Sequence, residues 1–186
     1  MWDGRAVVLV EGVSDQRALE AVAERRGRNL ADEGVSIVPI GGAQGIGNAL
    51  ERFGPRGLNV RLAGLCDAAE EDHFRRGLER AGFGAHLSRA DAERLGFYVC
   101  DADLEDELIR ALGAASVERV VSAQGDLRSF RTLQNQPAWR GLTTEAQLWR
   151  FMGTRGGRKI HYARLLVEAL DLGQVPRPLD GVLAHV

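Results

Sequence analysis

Carboxylate side chains follow three of the apolar runs in this sequence, each at the point where the run ends. They are Glu11 after residues 5–10, Asp67 after residues 58–66, and Asp101, Asp103 and Glu105 after residues 96–100. If these runs are parallel strands, their carboxyl ends meet at one edge of a sheet, which is where open α/β folds bind ligands. The spacing therefore predicts one acidic site built from three separate segments.

Carboxylates gathered in this way repel one another unless a cation neutralises them. Hard oxygen ligands suit Mg²⁺ or Mn²⁺, so the chemistry that the pattern predicts is binding of a divalent metal ion. Asp15 lies one helical turn beyond Glu11 and is expected on the same side of the first turn. A single carboxylate after a strand is more often a helix cap or a solvated charge. The coincidence of three strand ends is what favours a metal site.

The elements that must position these residues alternate along the first half of the chain. Short apolar runs at 5–10, 35–40, 58–66 and 96–100 predict buried parallel strands, and amphipathic segments between them predict helices. This alternation indicates an α/β fold, a parallel sheet with helices on both faces. The glycine-rich segment 41–47 is predicted to be a turn leading into a short helix that ends near residue 54.

After residue 103 the periodicity is helical to the end. Helices are predicted near residues 104–112, 115–124, 126–135, 143–152 and 157–171. Pro176 and Pro178 are expected to break the last of them. We therefore predict an α/β core over residues 1–103 and a helical extension over 104–186 that packs on the core and is not an independent domain.

Composition sets wider limits. The chain has 186 residues, of which 45% are hydrophobic and 27% charged, enough to bury a core. The sequence has no run of about 18 apolar residues, so no membrane span is predicted. The chain is interpreted as cytoplasmic. Cys66 and Cys100 end strand-like runs and are expected to be buried reduced thiols. The net charge of −2 does not indicate nucleic-acid binding, but acidic metal ligands can mask basic contacts.

Several segments, in order, resemble the TOPRIM domain of OLD-family nucleases. The matching pieces are Val8-Leu9-Val10-Glu11-Gly12-Val13-Ser14-Asp15, Val38-Pro39-Ile40-Gly41-Gly42, Leu65-Cys66-Asp67, Leu104-Glu105-Asp106-Glu107-Leu108 and Gly157-Arg158-Lys159-Ile160-His161-Tyr162-Ala163. Each piece is weak alone, but their order is fairly specific and spans nearly the whole chain. The resemblance implies a TOPRIM, Rossmann-like parallel sheet flanked by helices, with a helical C-terminal extension.

The resemblance also implies metal-dependent cleavage of nucleic-acid phosphodiester bonds by a DNA nuclease or nickase, with Mg²⁺ or Mn²⁺ as cofactor. The metal ligands it implies fall into two groups, Glu11, Asp15 and Asp67 in one, and Glu105 with Asp101 or Asp103 in the other. Lys159, the only lysine among 24 basic residues, would lie by the scissile phosphate. Glu11, Asp67 and Lys159 are thus the candidate catalytic residues.

One position departs from the family's Asp-x-Asp motif, because Ala69 stands where the second carboxylate is expected. Glu70, Glu71 or Asp72 are possible substitutes, and Glu71 is the metal ligand we predict from this group. The departure supports an alternative function, a catalytically weakened TOPRIM module that binds nucleic acid or a partner ATPase. A primase-like nucleotidyl transferase ranks third, because no nucleotide-handling segment is evident.

The expected partners follow from the same resemblance. DNA is the expected substrate, with Arg155 and Arg158 as candidate contacts to its backbone. Most OLD proteins carry an ATPase, but no G-x-x-x-x-G-K-[ST] motif is present, so an ATPase is expected as a separate chain if one is involved. Trp139, Trp149 and Phe151 fall in the helical part of the chain, where core packing is favoured over stacking on bases.

Overall fold

The computed structural model describes residues 4–155 and 157–186. Its sheet has four parallel strands in the spatial order β2-β1-β3-β4. The strands are β1 (Ala6–Val10), β2 (Val35–Pro39), β3 (Arg61–Asp67) and β4 (Phe97–Cys100). The predicted parallel sheet is therefore confirmed, and its four strands fall within two or three residues of the expected positions.

Helices account for most of the remaining described chain. They are α1 (Val13–Arg25), α2 (Ile46–Phe53), α3 (Glu71–Ala81), α4 (Arg89–Arg94), α5 (Leu104–Leu112), α6 (Ala114–Ala123), α7 (Leu127–Gln134), α8 (Thr144–Met152), α9 (Arg158–Ala169) and α10 (Arg177–His185). Short 3₁₀ turns cover Ala43–Gly45, Ala68–Glu70 and Leu172–Gln174. Among the described helices, none is long and apolar enough to cross a membrane.

Two helices were not predicted. Helix α4 has six residues, too few to show a periodic apolar face. Helix α10 follows the prolines that were expected to end helical structure, and Pro178 lies in its first turn. Proline is tolerated there because the first backbone N–H groups of a helix have no intrahelical partner. The prolines do stand beyond the end of α9, but the segment after them is helical.

Each face of the sheet has its own apolar layer because side chains alternate along a strand. On β1, Val8 and Val10 face a cluster shared with α1 and the helices after β4, whereas Val7 and Leu9 face a cluster shared with α2 and α3. All five β1 residues are buried. The near-continuous apolar strand is thus the result of helices on both faces, as the sequence indicated.

The helices after residue 103 join the first of these two layers. Helix α9 packs along α1, and Arg25 of α1 donates hydrogen bonds to the carbonyls of Val167 and Leu170 at the end of α9, at 2.7 and 2.6 Å. These last carbonyls of a helix lack intrahelical partners, so the guanidinium satisfies them. Because α9 carries Lys159, this docking brings the lysine to the carboxyl edge of the sheet. The division of the chain at residue 103 stays a prediction.

The two cysteines end neighbouring strands. Cys66 and Cys100 are free thiols and are buried, as expected. Burial, with the negative charge of nearby carboxylates, raises the pKa of both thiols well above the ordinary range. They are therefore apolar packing groups at the end of the sheet and not nucleophiles.

Candidate functional site

The carboxyl ends of β1 and β3 are directly linked. The two strands are neighbours in parallel register, with Val10 beside Leu65. The backbone N–H of Asp67 donates a 2.8 Å hydrogen bond to Oε1 of Glu11. Burial raises the pKa of Glu11, although this hydrogen bond opposes the shift. The first two predicted site residues therefore meet, as the strand-end argument required.

The glycine turn after β2 contacts the backbone of Glu11 at the end of β1. The N–H of Gly42 donates to the backbone carbonyl of Glu11 at 3.0 Å, and Gly42 has a φ of 98°, which disfavours any side chain. The turn therefore fixes the backbone of Glu11 from the β2 side.

Asp15 lies in the first turn of α1 and is 8% exposed. Its Oδ2 accepts the N–H of Gly12 at 2.9 Å, which satisfies one of the free donors at the helix N-terminus. Burial, joined by the charges of Glu105 and Glu11, nevertheless raises the pKa of Asp15 to about 7 against that hydrogen bond. Asp15 therefore faces other carboxylates as well as its own helix.

Asp67 is the residue on which the charges of the other carboxylates act together. Burial raises its pKa to about 8, and the negative charges of Glu11, Asp15, Asp103 and Glu105 contribute in that order. We call Glu11, Asp15, Asp67, Asp103 and Glu105 the acidic cluster. Its members come from the ends of β1 and β3, the first turn of α1, and the start of α5 after β4. Mutual repulsion of this kind is what a bound cation relieves.

Glu105 is the most buried member, at 4% exposed. Its Oε2 accepts a 2.8 Å hydrogen bond from Nζ of Lys159. Its Oε1 is the one buried side-chain polar atom without a hydrogen-bond partner in the part of the chain described. Burial raises the pKa of Glu105, although Lys159 opposes the shift. A buried, unpaired carboxylate oxygen is costly unless something outside the protein satisfies it.

Lys159 enters the site from α9. The N-cap of this helix is Gly157, whose φ of 80° lies in the left-handed region that glycine tolerates best. Burial works against the charged ammonium, but the hydrogen bond and charge of Glu105, followed by the charges of Asp103 and Asp67, raise the pKa of Lys159. The single lysine of the chain is therefore held, fully charged, against the acidic cluster.

Asp103 caps α5, the helix that carries Glu105. Its Oδ1 accepts the N–H of Asp106 at 2.8 Å, and its Oδ2 accepts the indole N–H of Trp149 at 2.6 Å. The same Oδ2 lies 4.0 Å from Nζ of Lys159. Asp103 thus combines a capping role with a place in the cluster.

Two predicted metal ligands, Glu71 and Asp101, are not brought into the acidic cluster. Glu71 accepts a hydrogen bond from Arg89 at 2.5 Å. The side chain of Asp101 is 71% exposed and lies 3.7 Å from both Arg89 and Arg110. Arg89 of α4 pairs with both carboxylates and Arg110 of α5 pairs with Asp101, so the two residues stay predicted ligands that the structure places outside the cluster.

Glu70 directly follows Ala69, the position that lacks the second carboxylate of the Asp-x-Asp motif. The 3₁₀ turn over Ala68–Glu70 places it three residues after Asp67, and its charge raises the pKa of Glu11. Its Oε2 also lies 3.0 Å from Nδ1 of His73. The prediction of Glu71 requires a regular helical turn directly after Asp67, whereas a 3₁₀ turn follows it.

The two arginines that were expected to contact DNA, Arg155 and Arg158, differ in their exposure. Arg158 is buried, with its guanidinium 3.9 Å from the centre of the Phe151 ring and 3.6 Å from Asp126. It is therefore part of the packing of the helical part and not a contact to DNA. Arg155 is exposed and stays a candidate.

As the side chains stand, no group of three or more His, Cys, Asp or Glu residues in the described ranges is arranged to hold a metal ion. The ammonium of Lys159 takes one oxygen of Glu105, and backbone N–H groups take one oxygen each of Glu11 and Asp15. The donor set is nevertheless all oxygen and strongly negative, and Oε1 of Glu105 is unpaired. In its chemistry the cluster fits a hard divalent cation.

The chain combines a parallel α/β sheet with a carboxylate cluster at the ends of β1 and β3, as the resemblance to TOPRIM domains implied, and the comparisons with known proteins agree with that resemblance. Residues 4–68 match the family described as "Overcoming lysogenization defect protein-like, TOPRIM domain". This segment is therefore an OLD-like TOPRIM segment, and the resemblance inferred from the sequence is confirmed. It contains Glu11, Asp15 and Asp67, whereas Asp103, Glu105 and Lys159 lie beyond it.

The fold of the whole chain is that of the C-terminal regions of OLD proteins. The structure of that region from Xanthomonas campestris pv. campestris, phased with mercury, is 23% identical with a TM-score of 0.75, over 100% of this chain and 95% of that one. The structure of the same region phased with platinum is 24% identical with a TM-score of 0.76, over 98% of this chain and 92% of that one. The region from Burkholderia pseudomallei is 22% identical, with a TM-score of 0.75, over 98% and 97%. No curated protein sequence gives a significant match.

Proposed function

We propose that this protein cleaves nucleic-acid phosphodiester bonds with a divalent metal ion, Mg²⁺ or Mn²⁺, and that DNA is its substrate. The observation that carries the proposal is the convergence of four carboxylates on a fifth, Asp67, with an unpaired buried oxygen on one of the four, Glu105. At family level, an OLD-like TOPRIM domain implies metal-dependent cleavage of nucleic acid, and the segment that matches this family includes three of the five.

The residues that would hold metal fall into two groups. Glu11, Asp15 and Asp67 belong to the first, at the ends of β1 and β3. Glu105 and Asp103 belong to the second, on the first turn of α5. Glu70 supplies negative charge to the first group where the second carboxylate of the Asp-x-Asp motif is absent. A bound divalent cation supplies charge stabilisation at the phosphate and eases deprotonation of the attacking water.

Lys159 has a role of its own in this proposal. Its ammonium is fully charged, and the side chain is 44% exposed, so it reaches both the cluster and the solvent from which a substrate arrives. A cation placed beside a phosphate offsets the negative charge that develops in the transition state. Glu105 holds the ammonium in place without consuming its other two donors.

Ala69 favours a second candidate, a catalytically weakened module. With one carboxylate of the Asp-x-Asp motif missing, the first group has fewer charges to bind a cation, and a domain of this kind would bind nucleic acid or a separate ATPase chain without cutting. The two candidates differ in whether the isolated chain cleaves DNA at all. A cytoplasmic location suits both.

The test is nicking of supercoiled plasmid in Mg²⁺ and in Mn²⁺, comparing wild type with Glu11→Gln and Asp67→Asn. Each change removes a charge from the cluster, and we expect the rate to fall about 100-fold or more. Asp180→Asn is the matched control, because Asp180 is a partly exposed carboxylate of α10, outside the acidic cluster, that pairs with Arg26. Wild-type protein that never cuts in either metal, or cuts equally well as Asp67→Asn, would refute the nuclease and leave the weakened module.

A further inference from the structure

Trp149 lies on the outer face of α8. The buried residues of this helix include Leu148, Phe151 and Met152, whereas the Trp149 side chain is 43% exposed. The core packing expected from the sequence is therefore correct for Phe151 and wrong for Trp149. A large aromatic side chain that contributes little to a core, yet stays fixed at the surface, is a candidate contact for a partner.

The indole of Trp149 is fixed at the edge of the acidic cluster. Its N–H, the only polar group of the ring, donates a 2.6 Å hydrogen bond to Oδ2 of Asp103. That oxygen lies 4.0 Å from Nζ of Lys159. The orientation of the ring is thus set by Asp103, one of the residues that would hold the metal ion, and the rest of the ring is apolar.

Two other exposed apolar side chains adjoin the cluster along the chain. Val13, 40% exposed, comes two residues after Glu11, and Ile160, 39% exposed, directly follows Lys159. Large exposed hydrophobic residues number five in the described ranges, and the other two are Leu58 and Leu142. Three of the five are therefore neighbours of the acidic cluster or of Lys159.

We propose that Trp149 is a stacking platform for an unpaired base of the nucleic-acid strand whose phosphate lies at the acidic cluster. The inference rests on the proposed function and narrows it to single-stranded or locally opened nucleic acid. Every base offers a π face to an aromatic ring, so the contact is independent of sequence. In an intact duplex those faces are hidden in the base stack, and an enzyme that uses them acts on unpaired strands.

Charge explains why such a neutral contact is needed here. The cluster places five carboxyl groups beside one lysine, and those that are ionised repel a phosphate backbone until a cation binds. Stacking on Trp149 attracts the base without adding charge and keeps the strand beside Lys159. The indole N–H is already bonded to Asp103, so the ring needs no rearrangement to accept a base.

The test compares two oligonucleotides of about twelve nucleotides, a size typical of single-strand sites. One is oligothymidylate, and the other has the same phosphodiester backbone with abasic tetrahydrofuran units. Binding to the full chain is measured by fluorescence anisotropy in Ca²⁺, with no cleavage required. Trp149→Ala removes the ring, and Trp149→Phe keeps a ring but loses the bond to Asp103. Leu142→Ala is the control, because Leu142 is an apolar residue of similar exposure that is not a member of the acidic cluster.

We expect wild type to prefer oligothymidylate, and Trp149→Ala to lose about 10-fold in affinity for it while its affinity for the abasic strand is unchanged. Trp149→Phe should keep most of the preference, and Leu142→Ala all of it. Equal losses on both strands, no loss, or no binding by wild type would overturn the inference. Plasmid nicking tests the proposed function separately, because nicking by a protein without base preference would refute only the stacking platform.

Discussion

Nζ of Lys159 lies 2.8 Å from Oε2 of Glu105, while Oε1 of the same carboxylate has no partner in the described part of the chain. The two residues are 54 positions apart in the sequence and meet because α9 packs on α5 and α1. One side of a buried carboxylate is therefore neutralised by the protein, and the other is left open. The unpaired Oε1 of Glu105 is therefore the atom of the cluster that we expect to bind a cation most readily.

Removing the ammonium tests that arrangement. In metal-free buffer, Lys159→Met leaves Glu105 buried without its partner, so the free energy of unfolding should fall by about 1–3 kcal/mol. Added Mn²⁺ should stabilise this variant more than wild type, because the cation replaces the missing charge. Urea unfolding with and without Mn²⁺ measures both effects. Lys159→Arg is the control that keeps the charge, and an equal response to Mn²⁺ in Met and Arg variants would contradict the account.

Asp67→Asn should separate repulsion from metal binding. Because burial and then the charges of four other carboxylates disfavour an ionised Asp67, removing its charge should stabilise the metal-free protein by about 1 kcal/mol. The same change should abolish the rise in melting temperature that Mg²⁺ or Mn²⁺ gives to wild type. Thermal unfolding monitored by circular dichroism measures both. A variant that is less stable without metal, or that keeps the full stabilisation by Mn²⁺, would show that Asp67 does not lie at the centre of the site.

Restoring the missing carboxylate should strengthen metal binding. Ala69 is exposed, so Ala69→Asp introduces no steric conflict. We expect the affinity for Mn²⁺ to rise about 10-fold, measured by calorimetry, since a further hard oxygen ligand joins the first group. If Glu70 compensates for the absence, Glu70→Gln should weaken binding in the wild type and much less in Ala69→Asp. Equal effects of Glu70→Gln in both backgrounds would mean that Glu70 does not act as the substitute.

The docking of the helical part can be tested away from the site. Arg25→Met removes two hydrogen bonds to the carbonyl end of α9, and the free energy of unfolding should fall by about 2 kcal/mol. Arg17→Met is the control on the same helix, where an exposed pair with Glu20 contributes little. Plasmid nicking should also weaken in Arg25→Met, because α9 positions Lys159. Similar losses of stability in the two variants would contradict this role of Arg25.

The sheet and much of the site could be predicted because both depend on local patterns. Apolar runs define the strands, and parallel pairing then brings the residues after them to one edge, which is how Glu11, Asp67 and Glu105 were found. The sequence contains no signal that Arg89 neutralises Glu71 and Asp101, because Arg89 comes from a helix too short to predict. Pairing of charges from separate segments is set by tertiary packing.

Trp149 and Arg158 show the same limit in the helical part. Both lie on helices that the periodicity predicted, yet the aromatic residue is exposed and the arginine is buried. Periodicity places a helix but says little about a residue at the margin of its apolar face, where a specific partner decides. For Trp149 that partner is Asp103, and for Arg158 it is the ring of Phe151.

The most direct measurement is the anomalous scattering of a crystal of this protein soaked in Mn²⁺. The account predicts at least one manganese peak among Glu11, Asp67 and Glu105, with Oε1 of Glu105 as a ligand. A matched crystal of Asp67→Asn should lose the peak or show it much weakened. Wild-type crystals without manganese at the acidic cluster, or with manganese bound only at Glu71 and Asp101, would contradict the central claim that this cluster is the metal site.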